Sequence, residues 1–253
     1  MDIQDAPSPN FDERKHPVNT LVLHYTGMEN GALALDRLRD PEAKVSSHYL
    51  VFENGEVVRM VPESLRAWHA GAGSWQGDDD LNSRSIGIEI VNGGHDFLAA
   101  DGTLPAYPEE QVEAVLALCK SILKRHDIPQ SRIVGHSDIA PARKTDPGEH
   151  FPWEHFAKAG VGVWPAQPDP DGLMGKGVEA GDDGAAVERL QKAFAEIGYG
   201  IALTGKLDAQ TMTVVRAFQR RFVQDRISGL VDLKTAALVE AVRSLYASSG
   251  SSV

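Results

Sequence analysis

The sequence predicts an α/β unit, a mixed central sheet flanked by helices, followed by a small all-α unit of three helices. Three observations predict it. Short β-rich runs at residues 19–24, 48–61 and 85–91 precede one amphipathic helical pattern. Beyond residue 165 the β-rich runs stop and three helical patterns follow. The charge divides at the same place: residues 1–165 hold 15 basic and 25 acidic side chains, and residues 166–253 hold 10 and 11.

Each element has its own signal. Asn19-Thr20-Leu21-Val22-Leu23-His24 is an apolar run ending in histidine, as in a buried strand that delivers a polar group at its C-terminal end. Residues 48–61 set Asn54-Gly55 between two β-rich runs, a hairpin signal because both turn positions favour φ > 0. Ser85–Val91 alternates, with Ile86, Ile88 and Ile90 on one side and Glu89 on the other. After Pro108, Val112, Val115, Leu116, Cys119, Ile122 and Leu123 repeat at three- and four-residue spacing. That predicts a helix over 109–126 covering one sheet face, with Cys119 as a small buried thiol. Ile133-Val134-Gly135-His136 is a further short strand ending in histidine.

Residues 166–180 carry two Pro and three Gly and read as a linker between a unit at 1–165 and one at 181–247. In the second unit Gly205-Lys-Leu-Asp208-Ala-Gln-Thr211 is echoed by Gly229-Leu-Val-Asp232-Leu-Lys-Thr235. Each Gly permits a tight turn and each Asp can cap the helix that follows. With the apolar face of Val187, Leu190, Phe194 and Ile197, the pattern makes three helices. Residues 248–253 are small and mostly polar, and a disordered tail is expected.

Composition excludes several functions. The chain has 253 residues, a net charge of −11 and 42% apolar residues. No run reaches the roughly 18–20 apolar residues of a membrane span. An acidic chain gains little from a phosphate backbone, so nucleic acid is not an expected partner. The apolar content supports a packed core rather than disorder. A single cysteine makes neither an internal disulfide nor a multi-cysteine metal site. The first seven residues lack the basic and apolar stretches of a secretory leader. Oligomeric state leaves no pattern in the sequence.

Of nine histidines, His24, His48 and His136 follow or begin β-like runs, and strand ends converge at the rim of a sheet. His24 and His136, with Asp146 held extended before Pro147, offer two imidazoles and a carboxylate. Such a set suits Zn²⁺ with a fourth position left for water. By spacing alone, a strand-end histidine is more often a locally satisfied polar group, and both readings stand.

Six blocks in fixed order add to this. Leu23-His24-Tyr25-Thr26, Val45-Ser46-Ser47-His48-Tyr49-Leu50, Ala67-Trp68-His69-Ala70-Gly71, Asn82–Glu89, Gly135–Pro141 and Arg143-Lys144-Thr145-Asp146-Pro147-Gly148 resemble the zinc-dependent N-acetylmuramoyl-L-alanine amidases of the AmpD/AmiD group, over roughly residues 18–165. Residues 181–246 are similar to the three-helix peptidoglycan-binding domain carried by many wall hydrolases. The resemblance implies that His24, His136 and Asp146 hold zinc. It implies that Glu89 is the general base on the attacking water and then the proton donor to the departing amine, and that Lys144 stabilises the oxyanion. Alone, Glu89 and Lys144 read as a surface ion pair. Tyr25, Trp68, His69 and Asn82 fall in matching blocks and are expected at the sugar–peptide groove, although a Trp packs in cores as readily. His48 reads as structural. Some relatives use Cys as third ligand and Tyr before the hairpin histidine; here Asp146 and Ser47 stand at those places.

The implied reaction is hydrolysis of the amide joining N-acetylmuramic acid, or its 1,6-anhydro form, to L-alanine of peptidoglycan or muropeptides. The alternatives are a non-catalytic muropeptide sensor and a phage endolysin. The wall-binding unit suggests the cell envelope or periplasm, and the missing leader suggests the cytoplasm. Asp78-Asp79-Asp80 reads as a solvated loop.

Overall fold

The computed structural model describes residues 2–169, 177–178 and 182–249. Two short strands open the chain, β1 (Ile3–Asp5) and β2 (Phe11–Glu13), followed by β3 (Thr20–Tyr25) and helix α1 (Gly31–Arg39). The hairpin supplies β4 (Tyr49–Val51) and β5 (Val57–Arg59). Then come β6 (Leu65–Ala67), the short helix α2 (Leu81–Arg84) and β7 (Ser85–Ile90). Helix α3 (Glu109–Leu123), β8 (Ile133–Gly135), the single turn α4 (His136–Ile139) and α5 (Trp153–Lys158) complete the α/β part. Helices α6 (Ala185–Ile197), α7 (Ala209–Phe222) and α8 (Leu233–Ser249) follow.

Six strands form one mixed sheet in the order β1-β5-β4-β7-β3-β8. Only β4 and β5 pair antiparallel; the other neighbours are parallel. A separate antiparallel pair joins β2 to β6. One face of the sheet presents Leu21, Leu23, Ile86, Ile88 and Ile90 to Val115, Leu116, Leu118, Cys119 and Ile122 of α3. The alternation expected at residues 85–91 thus places Glu89 on the opposite face, beside His24 of the neighbouring strand.

Two boundaries differ from the sequence expectation. Helix α3 stops at Leu123, because the backbone N–H groups of Arg125 and His126 both donate to the Ile122 carbonyl and tighten the last turn. In the hairpin, only Gly55 takes positive φ, at +81°. Phe52 N–H donates to Glu56 O at 2.9 Å and closes a three-residue loop rather than a two-residue turn. The sequence did not reveal β1, β2, β6 or α1. Three-residue edge strands are too short for periodicity to register, and the apolar positions of α1 are sparse.

The helical part explains its own repeat. Asp208 Oδ1 accepts from Thr211 N–H and Asp232 Oδ1 from Thr235 N–H, each at 2.8 Å, so each caps a helix. Gln191 accepts from Gly205 N–H and donates to Lys206 O and Thr211 Oγ1. Gln219 accepts from Gly229 N–H and donates to Leu230 O and Thr235 Oγ1. The repeated unit is therefore a glutamine clamped onto a glycine turn.

The two parts share one apolar cluster. Val22, Ala70, Trp75, Val134 and Ile139 of the α/β part pack with Phe194, Ile197, Tyr199, Phe218 and Phe222 of the helical part. Burying a Val, Ile or Phe side chain of this cluster contributes roughly 1.5–3 kcal/mol. Most of the expected linker at 166–180, residues 170–176 and 179–180, lies outside the described residues, as do residues 250–253 of the expected tail. Among the described residues no helix is long and apolar enough to cross a membrane.

Candidate active site

Three chain segments meet at the C-terminal edge of the parallel strands. His24 is the fifth residue of β3, and His136 follows β8, the neighbour of β3. Asp146 comes from the following loop, which Ser137 N–H ties in place by donating to Asp146 O at 2.9 Å. All three side chains are buried. His24 Nδ1 stands 2.9 Å from His136 Nδ1 and 2.9 Å from Asp146 Oδ2, and the last two atoms are 3.1 Å apart.

The far nitrogen of each imidazole is engaged. His136 Nε2 meets Ala70 O at 2.9 Å, which requires Nε2–H and leaves the Nδ1 lone pair free. His24 Nε2 meets His69 Nδ1 at 2.9 Å, His69 Nε2 meets Ser85 Oγ at 3.1 Å, and the Ser85 hydroxyl donates to Leu81 O. Read from the Leu81 carbonyl back, the chain has one consistent proton direction, and it too leaves His24 Nδ1 bare. Burial, then the neighbouring His136, pushes the His24 pKa down to about 4. Burial also holds His69 well below the usual imidazole range. Burial opposes ionisation of Asp146, yet His136 and His24 outweigh it and hold that carboxyl well below its usual range. A His24 imidazole pushed toward its neutral form, beside a carboxyl held toward its ionised form, suits a metal ligand set.

Glu89 is the cross-strand neighbour of His24 in the β3–β7 pair. Its Oε2 is enclosed and accepts no hydrogen bond from the described residues. Burial, then the nearby Asp146 charge, pushes its carboxyl well above the usual range, and Lys144 opposes them. A dication on the cluster would oppose them further. Lys144 follows a turn in which its N–H donates to Ala140 O, and its side chain reaches the same cleft. The cleft has a volume of about 360 Å³, and His24, Tyr25, Trp68, Glu89, Lys144 and Asp146 are among its lining residues.

The expected groove residues separate into two groups. Tyr25, Trp68 and His69 line the cleft. The Tyr25 hydroxyl lies 2.7 Å from Thr145 Oγ1, and Trp68 Nε1 donates to Asp12 at 2.7 Å. Asn82 stands behind the wall: its Oδ1 accepts from His69 N–H and Ala70 N–H and clamps the segment that carries His69. His48 is structural, accepting from Gly87 N–H on Nδ1 and facing Leu65 O with Nε2.

Sequence reasoning missed Gly87, Arg143 and the His69–Ser85 chain. A Cβ at Gly87 would lie 2.5 Å from the His69 ring, so glycine makes room for that imidazole. Arg143 donates to the carbonyls of Ala70 and Ala72. The only signal was that Gly87 and Arg143 fall within the six blocks.

Residues 14–149 match the N-acetylmuramoyl-L-alanine amidase family, and residues 183–239 match a peptidoglycan-binding domain family. N-acetylmuramoyl-L-alanine amidase AmiD of Escherichia coli is 36% identical over 237 residues, covering 90% of this chain and 83% of AmiD. The 1,6-anhydro-N-acetylmuramyl-L-alanine amidase AmpD of Citrobacter freundii is 36% identical over 60% of this chain and 86% of its own. A structure of Escherichia coli AmiD with the substrate anhydro-N-acetylmuramic acid-L-Ala-D-gamma-Glu-L-Lys superposes with TM-score 0.76 at 33% identity, covering 95% of this chain and 91% of that one. AmpDh3 of Pseudomonas aeruginosa superposes with TM-score 0.77 at 34% identity, covering 91% and 92%. A match over more than half the chain, together with a relative that spans nine-tenths of it, shows that this protein belongs to the N-acetylmuramoyl-L-alanine amidase family.

Proposed function

We propose that this chain hydrolyses the amide between the lactyl carbonyl of N-acetylmuramic acid, or of its 1,6-anhydro form, and the amine of the L-alanine that begins the stem peptide. The observation that carries the reading is the buried convergence of His24, His136 and Asp146 beside the Glu89 carboxyl in one cleft. The donor set fits zinc. Tetrahedral zinc at roughly 2.0–2.1 Å spaces its ligand atoms about 3.3 Å apart. The three atoms here are 2.9–3.1 Å apart, a small side-chain adjustment away. Two imidazoles and one carboxylate also favour zinc over the oxygen-seeking ions.

A bound zinc supplies Lewis acidity toward the scissile carbonyl and toward the attacking water. The chain's own residues do the rest. The Glu89 carboxylate takes the proton of the water and returns it to the nitrogen as the C–N bond breaks, so the amine leaves neutral. Its position on a strand, opposite Ile88 and Ile90, fixes where that carboxyl can go. The Lys144 ammonium faces the charge that develops on the carbonyl oxygen. Tyr25, Trp68 and His69 form the wall against which the sugar and peptide lie.

We assign catalysis to residues 1–165 and peptidoglycan binding to residues 181–247, joined through 166–180. The family matches at 14–149 and 183–239 support that division. A unit that holds the insoluble polymer raises the effective substrate concentration at the cleft. This supports action on polymer as well as on soluble anhydro-muropeptides, and favours the cell envelope as the compartment; fractionating native cells tests it. The activity test is direct. Chelation should abolish release of stem peptide from purified anhydro-muropeptide, and Zn²⁺ alone should restore it. Release that survives complete chelation sinks the metal assignment. Release of a fragment lacking L-alanine sinks the bond assignment.

A further inference from the structure

The helical part does more than stand beside the α/β part. Arg221 of α7 is 2% exposed at its side chain and Asp138 of α4 is 1% exposed. Arg221 Nη1 donates to Asp138 Oδ2 at 2.8 Å, and its Nη2 donates to Ile133 O at 2.9 Å. The hydroxyl of Tyr199, just beyond α6, donates to Asp138 Oδ1 at 2.8 Å. Asp138 Oδ2 also accepts from Gly135 N–H at 2.9 Å. The guanidinium lies 4.3 Å from the Trp153 ring centroid. So one side chain of the helical part holds both ends of the Ile133–Asp138 stretch, and His136 lies inside that stretch.

We propose that Arg221 and Tyr199 are positioning residues for the metal site: through Asp138 they fix the turn that aims His136 at His24 and Asp146. The inference rests on the metal reading of the cluster. Its physical basis is that the turn is too short to hold itself. Helix α4 is a single turn of four residues, closed at its end by Ala140 N–H donating to the His136 carbonyl. The Asp138 carboxylate ties down its N-terminal side, and that carboxylate tolerates burial only while Arg221 neutralises it. A forked guanidinium is the group that can grip a carboxylate and a carbonyl together. The peptidoglycan-binding unit is then part of the catalytic body, and its docking sets how tightly the metal is held.

The test uses the full chain. Zinc affinity is measured by competition with a chromophoric chelator for wild type, Arg221→Met, Tyr199→Phe and Val242→Ala. Val242 is a buried α8 residue that makes none of these bonds. Arg221→Met is expected to weaken zinc binding roughly 10- to 100-fold, the usual effect of losing a group that orients a ligand. Tyr199→Phe removes one hydrogen bond and is expected to weaken it roughly threefold. Val242→Ala lowers the melting temperature and keeps wild-type affinity. Wild-type affinity in folded Arg221→Met overturns the inference, as does an equal loss in Val242→Ala. If Arg221→Met does not fold, Tyr199→Phe decides by the same readout. A wild-type chain that binds no zinc overturns the metal reading and this inference with it. A zinc-binding wild type with an indifferent Arg221 overturns this inference alone.

Discussion

Two glutamines of the helical part and one glutamate of the α/β part are buried polar groups treated in opposite ways. In the helical part Gln191 and Gln219 are fully buried, and each is used on both its oxygen and its nitrogen. In the α/β part Glu89 buries an oxygen with no partner among the described residues, and beside it crowd three atoms that could hold a metal ion. A buried polar group without a partner costs about 1–3 kcal/mol, more if charged. In a cleft, such a group is available to work on something other than the protein. The difference sets two glutamines that hold the fold against the carboxyl proposed to perform chemistry.

The strongest way to break that comparison is Glu89→Gln. If Glu89 serves chemistry, turnover of anhydro-muropeptide should fall about 10²- to 10⁴-fold. Stability of the metal-free protein should hold or rise, because a carboxyl with an enclosed, unpartnered oxygen is gone. A variant that keeps its turnover number but unfolds more easily would make Glu89 a structural residue like Gln219.

Gly87→Ala sharpens the same line from beneath. The added Cβ would lie 2.5 Å from the His69 ring, and His69 backs His24. Overpacking of this kind costs about 1–3 kcal/mol. Here it should also weaken zinc retention, since His69 must tilt away from His24 Nε2. Equilibrium unfolding with and without zinc separates the two effects: an equal loss in both states would mean that the His69 contact does nothing for the metal.

Gln219→Ala is the mirror experiment. It strips Ser228 N–H and Gly229 N–H of their acceptor and should destabilise the protein by about 1–3 kcal/mol. Turnover of a small soluble muropeptide should stay within about twofold of wild type, because the clamp touches neither the cleft nor Arg221. A large fall in that turnover, with zinc still bound, would erase the distinction between the two regions.

These contrasts were legible in the sequence to unequal degrees. The places of His24 and His136 at strand ends were readable from the apolar runs before them, and that of Glu89 from its phase opposite three isoleucines. Their roles came only from the resemblance: alone, such histidines read as readily as satisfied polar groups and Glu89 as half of a surface ion pair. Asp208 and Asp232 were readable because a cap is a local matter. Arg221 was not: beside Arg220 near the end of an amphipathic helix it looks like a solvated charge, and its partner lies 83 residues away. Asn82 had a similar fate. A backbone clamp 13 residues from the segment it holds leaves no periodicity to detect. What folding joins over long separations stays hidden until the partner is in place.

A last expected effect is on stability against pH, and its sign follows from the buried histidines and Glu89. All nine histidines precede residue 156, so none belongs to the helical part. His24 is pushed down to about 4 by burial and then His136, and His48 to about 3 by burial and then Arg14. A histidine whose folded pKa lies below its unfolded value of about 6.5 binds fewer protons when folded. Its stabilisation is complete above about pH 6.5 and is lost as the pH falls toward the folded value. Each such histidine should remove about 1.4 kcal/mol per pH unit across that window. Glu89 works the other way. Its raised carboxyl binds more protons when folded, so it favours the fold at low pH and loses that contribution as pH rises through its folded value. In metal-free wild type Glu89 offsets about one of the four lowered histidines, His24, His48, His69 and His150, so urea unfolding between pH 5 and 6.5 should show stability falling toward the acid side with the remaining slope. Glu89→Gln removes the opposing group and should steepen it. An unchanged slope in that variant would mean that Glu89 is ionised in the folded protein without any metal, so that a protein group already offsets its charge and the contrast with Gln219 collapses.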